Sequence, residues 1–158
     1  MQSFEVEVRG AGIVGKSLAL SLAGIGLEVA LCGAPAQASD DVRAYALSPS
    51  SIALLRRLGV WDSLASDAKT AVHDMVVHGD AATGVLEFSA WQQCVAELAV
   101  ITDAAALERA LDAAIAAAPR ATRVDTDVTA SLVAHCEGRA AARRRSRRRA
   151  HARAQRRR

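Results

Sequence analysis

Six residues close to the amino end, Gly10-Ala11-Gly12-Ile13-Val14-Gly15, have the types and spacing of a loop that holds a pyrophosphate. In such a loop the first glycine permits a tight turn out of a strand. The second lets the backbone approach the phosphates, and the third lets helix and strand pack closely. A helix beginning there turns its unpaired N–H groups and the positive end of its dipole toward the anion. Gly10, Ala11, Gly12, Ile13, Val14 and Gly15 are therefore the candidate cofactor-binding positions, and the ligand class is a dinucleotide.

No comparable arrangement supplies a nucleophile or a metal site. His73, His78, His135 and His151 are not accompanied by a Gly-x-Ser-x-Gly elbow. His73 and His78 stand in one strand-like run at a spacing that turns them to opposite faces. Cys32, Cys94 and Cys136 are widely spaced and form no Cys-x-x-Cys pair, which points to buried thiols in a reducing cytosol. Neither a catalytic residue nor a metal is assigned.

The elements that must position the loop can be read around it. Phe4 to Val8 alternates as a strand, Ile13 to about Ala23 has helical spacing, and Leu27 to Cys32 is a second strand. This is the βαβ unit the motif requires. On the helix, Ile13, Val14, Leu18, Leu22 and Ile25 mark the apolar face, and Gly24 and Gly26 end it. Glu5 and Glu7 are out of keeping with a central parallel strand, which is normally apolar on both faces.

Further on, Ser48 caps a helix with Pro49 at its first position, Ile52, Leu55 and Leu58 on one face, and Gly59 as its stop. Trp61 and Leu64 cover its end. His73 to His78 and Val85 to Ala90 read as an antiparallel hairpin around Gly79, Asp80, Thr83 and Gly84. Asp103 caps a helix that buries Leu107, Leu111 and Ile115 and stops at Pro119, and Val124, Val128 and Leu132 suggest more strand.

Composition agrees with this α/β reading. Of 158 residues, 51% are hydrophobic but only 3% aromatic, so the core is built from Ala, Val and Leu. The net charge of +3 hides two opposite halves. Residues 1–138 carry 17 acids against 9 basic residues, whereas residues 139–158 carry 11 arginines and no acid. Like charges at that density cannot bury a core, so the tail is expected to be disordered. Neither a secretory signal nor a comfortable membrane span is present, and a cytoplasmic protein is expected.

Four blocks in order carry a family resemblance. They are Gly10-Ala-Gly-Ile-Val-Gly15, Asp41-Val-Arg43-Ala-Tyr-Ala-Leu47-Ser48, Leu55-Arg-Arg-Leu58-Gly59-Val-Trp61 and Ala106-Leu107-Glu-Arg-Ala-Leu111. Over roughly residues 4–135 the chain resembles the amino-terminal part of the flavin-dependent aromatic-ring monooxygenases, most closely the ubiquinone-biosynthesis hydroxylases of the UbiH type. That resemblance implies a Rossmann-like FAD-binding domain at 1–138, with a hairpin within 72–100 beginning an antiparallel substrate layer. It also implies FAD with its ADP half on the glycine loop, Arg43 near the FAD, and NAD(P)H as reductant. The implied substrates are molecular oxygen and a small aromatic ring, with a polyprenylated ubiquinone precursor and a peripheral station on the inner face of the membrane as options.

The chain departs from the family in several places. The second strand ends in Cys32-Gly33 where an acid for the adenosine ribose belongs, Glu28 lies at the wrong end, and Asp40 and Asp41 come only in the next loop. Ala104 and Ala105 stand where a polar residue often faces the flavin. An Asp-Gly and a later Gly-Asp segment that contact FAD in the family are not found, so the chain reads as an incomplete amino-terminal piece. Residues 139–158 read as a frameshift or truncation product. Two rivals are an NAD(P)-binding Rossmann oxidoreductase and a nucleic-acid-binding module using the arginine tail. The tail has no interleaved aromatic residue for base stacking, so nucleic acid is not the expected partner.

Overall fold

The computed structural model describes residues 3–33, 42–79, 84–125 and 128–138. Asp40, Asp41, residues 80–83 of the expected turn and the arginine tail lie outside the described residues. The chain forms two compact units, one made of residues 1–36 and 115–158, the other of 37–114.

In the first unit four parallel strands form one sheet in the order β8-β2-β1-β9, with β1 Ser3–Arg9, β2 Val29–Cys32, β8 Ala121–Val124 and β9 Thr129–His135. Helix α1, Ile13–Gly24, connects β1 to β2 and packs on β1, β2 and β8. Phe4, Val6 and Val8 are buried along one face of β1, and Val29, Ala30 and Leu31 are buried in β2.

The helix turns a different face to the core than its hydrophobic residues suggest. Gly15, Lys16, Ala19 and Leu20 are buried, while Val14 is 69% and Ile25 75% exposed. The cause is local. Gly15 must lie against Gly10, and that contact sets the rotation of the helix before any apolar residue can.

The two glutamates of β1 also find their reason. Glu5 accepts the N–H of Glu28 at 3.0 Å where the chain enters β2. Glu7 is buried and accepts a two-pronged bond from Arg9, Nε to Oε1 at 2.7 Å and Nη2 to Oε2 at 2.9 Å. Such a fork satisfies both carboxylate oxygens, so burial is tolerated. Glu28 in turn pairs with Arg120 at 2.8 Å.

In the second unit three antiparallel strands, β3 Ala44–Leu47, β7 Ala99–Asp103 and β4 Lys69–Val72, pair in the order β3-β7-β4. Helix α2, Pro49–Arg57, is capped by Ser48, whose Oγ accepts the Ser51 N–H at 3.3 Å. Ile52, Leu55, Trp61 and Leu64 are buried there, and Lys69 lies over the Trp61 ring at 5.3 Å. Helix α3, Ala104–Ala117, follows β7, and the Asp103 carboxylate accepts the Ala106 N–H at 2.6 Å.

The expected hairpin is present as β5, Asp74–His78, and β6, Val85–Ser89, in a sheet of its own. Its register pairs Met75 with Phe88 and Val77 with Leu86, so one face is wholly apolar. The other carries Asp74, Ser89, Glu87 and His78 beside Val76 and Val85. Among the described residues, no helix is long and apolar enough to cross a membrane.

Candidate functional site

The carboxyl ends of three neighbouring parallel strands meet in the first unit, with Arg9 of β1 in register with Cys32 of β2 on one side and His135 of β9 on the other. Backbone bonds continue the pairing past the strands, from the Gly10 N–H to the Cys32 carbonyl and from the Cys136 N–H to the Arg9 carbonyl, both at 2.7 Å. Over these ends lies a cavity of about 380 Å³. Its walls are Gly10, Ala11 and Gly12 of the loop, Cys32 and Gly33 after β2, and Cys136, Glu137 and Gly138 after β9. The carboxyl edge of a parallel sheet is where ligands of α/β proteins bind.

The three motif glycines do separate work. Gly10 has φ +110°, and a Cβ there would come within 2.6 Å of the Cys136 carbonyl. A Cβ on Gly15 would overlap the Gly10 carbonyl oxygen. Both glycines are thus demanded by the protein's own packing. Gly12 has ordinary extended backbone, and a Cβ there would meet nothing within 4 Å. Its bareness serves no internal contact, and it faces the cavity.

Gly12 is also the cap of α1. No side chain bonds the exposed N–H groups of that helix end, and no acid lies in its first turn. The positive end of a three-turn helix thus has neither a capping side chain nor a first-turn acid beside the cavity, which is an arrangement that favours an anionic group. Ile13, Val14 and Gly15 do not line the cavity: they build the first turn.

The run from Gly10 to Ser17 also spells G-x-x-x-x-G-K-S, the pattern of a phosphate loop that ends in a lysine. Geometry decides between the two patterns. The helix already begins at Ile13, the Lys16 N–H donates to the Gly12 carbonyl at 2.9 Å, and the Lys16 side chain is fully buried outside the cavity walls. A nucleotide on Gly12 would meet backbone, not an ammonium group.

Charges around the strand ends are ordered. The Arg9 fork holds the Glu7 carboxyl below the usual carboxylate range against the opposing effect of burial, helped by a bond from the Cys32 thiol. Burial pushes the Cys136 thiol up, but the expectation of three buried thiols is not met, since Cys32 and Cys136 are half-buried and Cys94 is exposed. His135 Nδ1 lies 3.4 Å from Glu137 Oε2, with both side chains partly exposed.

Arg43 lies in the second unit. Its carbonyl accepts the Ala104 N–H at 3.0 Å, and its guanidinium sits 6.0 Å from the centre of the Tyr45 ring. Sequence reasoning noted Cys32-Gly33 only as the place of a missing ribose acid and passed over Cys136, Glu137 and Gly138 as walls of the site. Gly33 alone gave a signal, a glycine directly after a strand; its φ is +142° and a Cβ would come within 3.0 Å of the Ala11 nitrogen.

Comparison with known proteins bears on what such a site holds. The family described as FAD binding domain matches residues 3–155. A segment of 69 residues, covering 40% of this chain and 18% of the relative, is 42% identical to the 3-demethoxyubiquinol 3-hydroxylase of Escherichia coli (strain K12). Among solved structures, PqsL of P. aeruginosa in complex with 2-aminobenzoylacetate is 20% identical with a TM-score of 0.61, over 78% of this chain and 34% of that one. The p-nitrophenol 4-monooxygenase PnpA of Pseudomonas putida DLL-E4 is 20% identical with a TM-score of 0.57, over 85% of this chain and 32% of that one. At these identities the structural likenesses speak for the fold. The chain spans about a fifth of the curated relative and about a third of the solved structures.

Proposed function

The chain belongs to the FAD binding domain family, and from that membership we propose that its first unit cradles the ADP half of FAD for a hydroxylase acting on an aromatic ring. Gly12 carries this reading. It is a glycine that no protein atom requires, placed at an uncapped helix end and open to the cavity. Backbone N–H groups of the loop and of the first turn of α1 would take the diphosphate. Glu137-Gly138 stands near the sequence position where the family resemblance expects an Asp-Gly segment beside FAD, at the end of the strand parallel to β1. Arg43 remains a proposed contact, on the resemblance alone.

The substrate reading is finer. The identity shared with a 3-demethoxyubiquinol 3-hydroxylase supports a ubiquinone precursor as the ring, while NAD(P)H as the reductant and oxygen as co-substrate rest on the family resemblance. Once bound, the flavin supplies the redox and oxygen chemistry, and the chain's task is to bind and orient it. No catalytic side chain is required of the described residues for that task.

Titration of the purified 158-residue chain with FAD, followed by quenching of flavin fluorescence, tests the proposal. Saturable binding that Gly12→Ala weakens at least about tenfold is the expected result. Absence of binding to the unaltered chain, or equal binding by Gly12→Ala, overturns it.

A further inference from the structure

The cavity pairs a helix end that has no capping side chain with a carboxylate-bearing residue, and the two make opposite demands of a ligand. Its remaining walls are backbone and thiols; among the described residues that line it, Glu137 alone bears a carboxylate. The segment is tied once through its backbone and once through that side chain. The Cys136 N–H ties the segment to the Arg9 carbonyl at 2.7 Å, and His135 Nδ1 stands 3.4 Å from Glu137 Oε2. On the opposite side of the loop, where an acid for the ribose belongs, stand Cys32 and Gly33. The site thus carries its acid after β9 rather than after β2.

A helix end contributes about half a positive charge, enough to favour one phosphate but not to offset every charge a nucleotide can bring. A carboxylate on a residue of the same cavity wall repels the surplus, while its oxygens can accept hydrogen bonds from sugar hydroxyls. A diphosphate esterified at both ends carries one charge per phosphate and hydroxyl-bearing groups on either side. A diphosphate with a free end carries more charge and lacks hydroxyls there.

We propose that Glu137 is a specificity residue that admits diphosphate diesters and turns away nucleotides with a free terminal phosphate. This rests on the reading that the glycine loop holds a dinucleotide diphosphate. It would keep the site from filling with ordinary nucleoside diphosphates in place of the dinucleotide.

Calorimetric titration of the 158-residue chain with ADP-ribose and with ADP tests it, since the two share adenosine and both phosphates. In dilute buffer the unaltered chain is expected to prefer ADP-ribose by about tenfold. Glu137→Gln should reduce that preference to about twofold or less, chiefly by tightening ADP, and Glu137→Asp should keep most of it. Because the discrimination is electrostatic, salt at about 0.5 M should shrink it in the unaltered chain. Glu137 is exposed, so circular dichroism of both variants should match the unaltered chain. An unchanged ratio in Glu137→Gln, with both nucleotides bound, overturns the specificity role and leaves the dinucleotide reading standing. Failure of the unaltered chain to bind either nucleotide overturns both.

Discussion

Three glycines of one motif answer to different causes, and substitution separates them. Gly10 and Gly15 are fixed by packing, so Gly15→Ala is expected to lose about 3 kcal/mol of stability in chemical denaturation, because its new methyl overlaps the Gly10 carbonyl. Gly12→Ala should stay within about 0.5 kcal/mol of the unaltered chain in the same experiment, while losing FAD binding. If Gly12→Ala unfolds the protein, the assignment of Gly12 to the ligand is wrong. Glu7 supplies a second residue-scale outcome. Its native value is depressed by Arg9, so its contribution is present above the unfolded value of 4.5 and is lost as pH falls through the lower native value. Stability should therefore drop on acidification below about pH 4.5. Glu7→Gln should flatten that drop and cost about 2 kcal/mol at neutral pH, the toll of breaking a buried charged bond.

At the scale of elements, caps account for where helices start. The Asp103 carboxylate at 2.6 Å from the Ala106 nitrogen anchors α3, and Asp103→Ala is expected to cost about 1 kcal/mol by urea unfolding. The β5–β6 hairpin presents the reverse situation, an apolar face of Met75, Val77, Leu86 and Phe88 that remains 38–63% exposed. Leu86→Thr should leave stability within about 0.5 kcal/mol and reduce binding of an apolar dye such as ANS. A large destabilisation would show that this face is covered in solution. Elements also differ in how openly the chain announces them. Ser48, Pro49 and Gly59 bracket α2, Asp103 and Pro119 bracket α3, and the hairpin strands begin and end within a residue of their expected limits. Strands β3 and β4 gave no such notice. Ala44-Tyr45-Ala46-Leu47 and Lys69-Thr70-Ala71-Val72 are short and weakly patterned, and they become strands through pairing with β7 on either side.

On the scale of the whole molecule, ligand and stability are linked. FAD at about one hundred times its dissociation constant should raise the unfolding free energy by about 2.7 kcal/mol, seen as a higher melting temperature that Gly12→Ala abolishes. A melting temperature indifferent to FAD would remove the cofactor reading. What could be read along the chain was whatever depends on neighbours in sequence: the glycine spacing, the caps, the periodicities, and through them the βαβ unit and its ligand class. The rotation of α1 escaped that reading because a contact between Gly10 and Gly15 outweighs the hydrophobic pattern of the helix. The site itself needed the fold. Cys32, Cys136 and Glu137 become neighbours of Gly12 because β2 and β9 both align beside β1, and strand pairing between distant segments leaves no local mark in the order of residues. For that reason the glycine loop was visible in the amino-acid order, whereas its sharing of one cavity with Glu137 emerged from the assembled sheet.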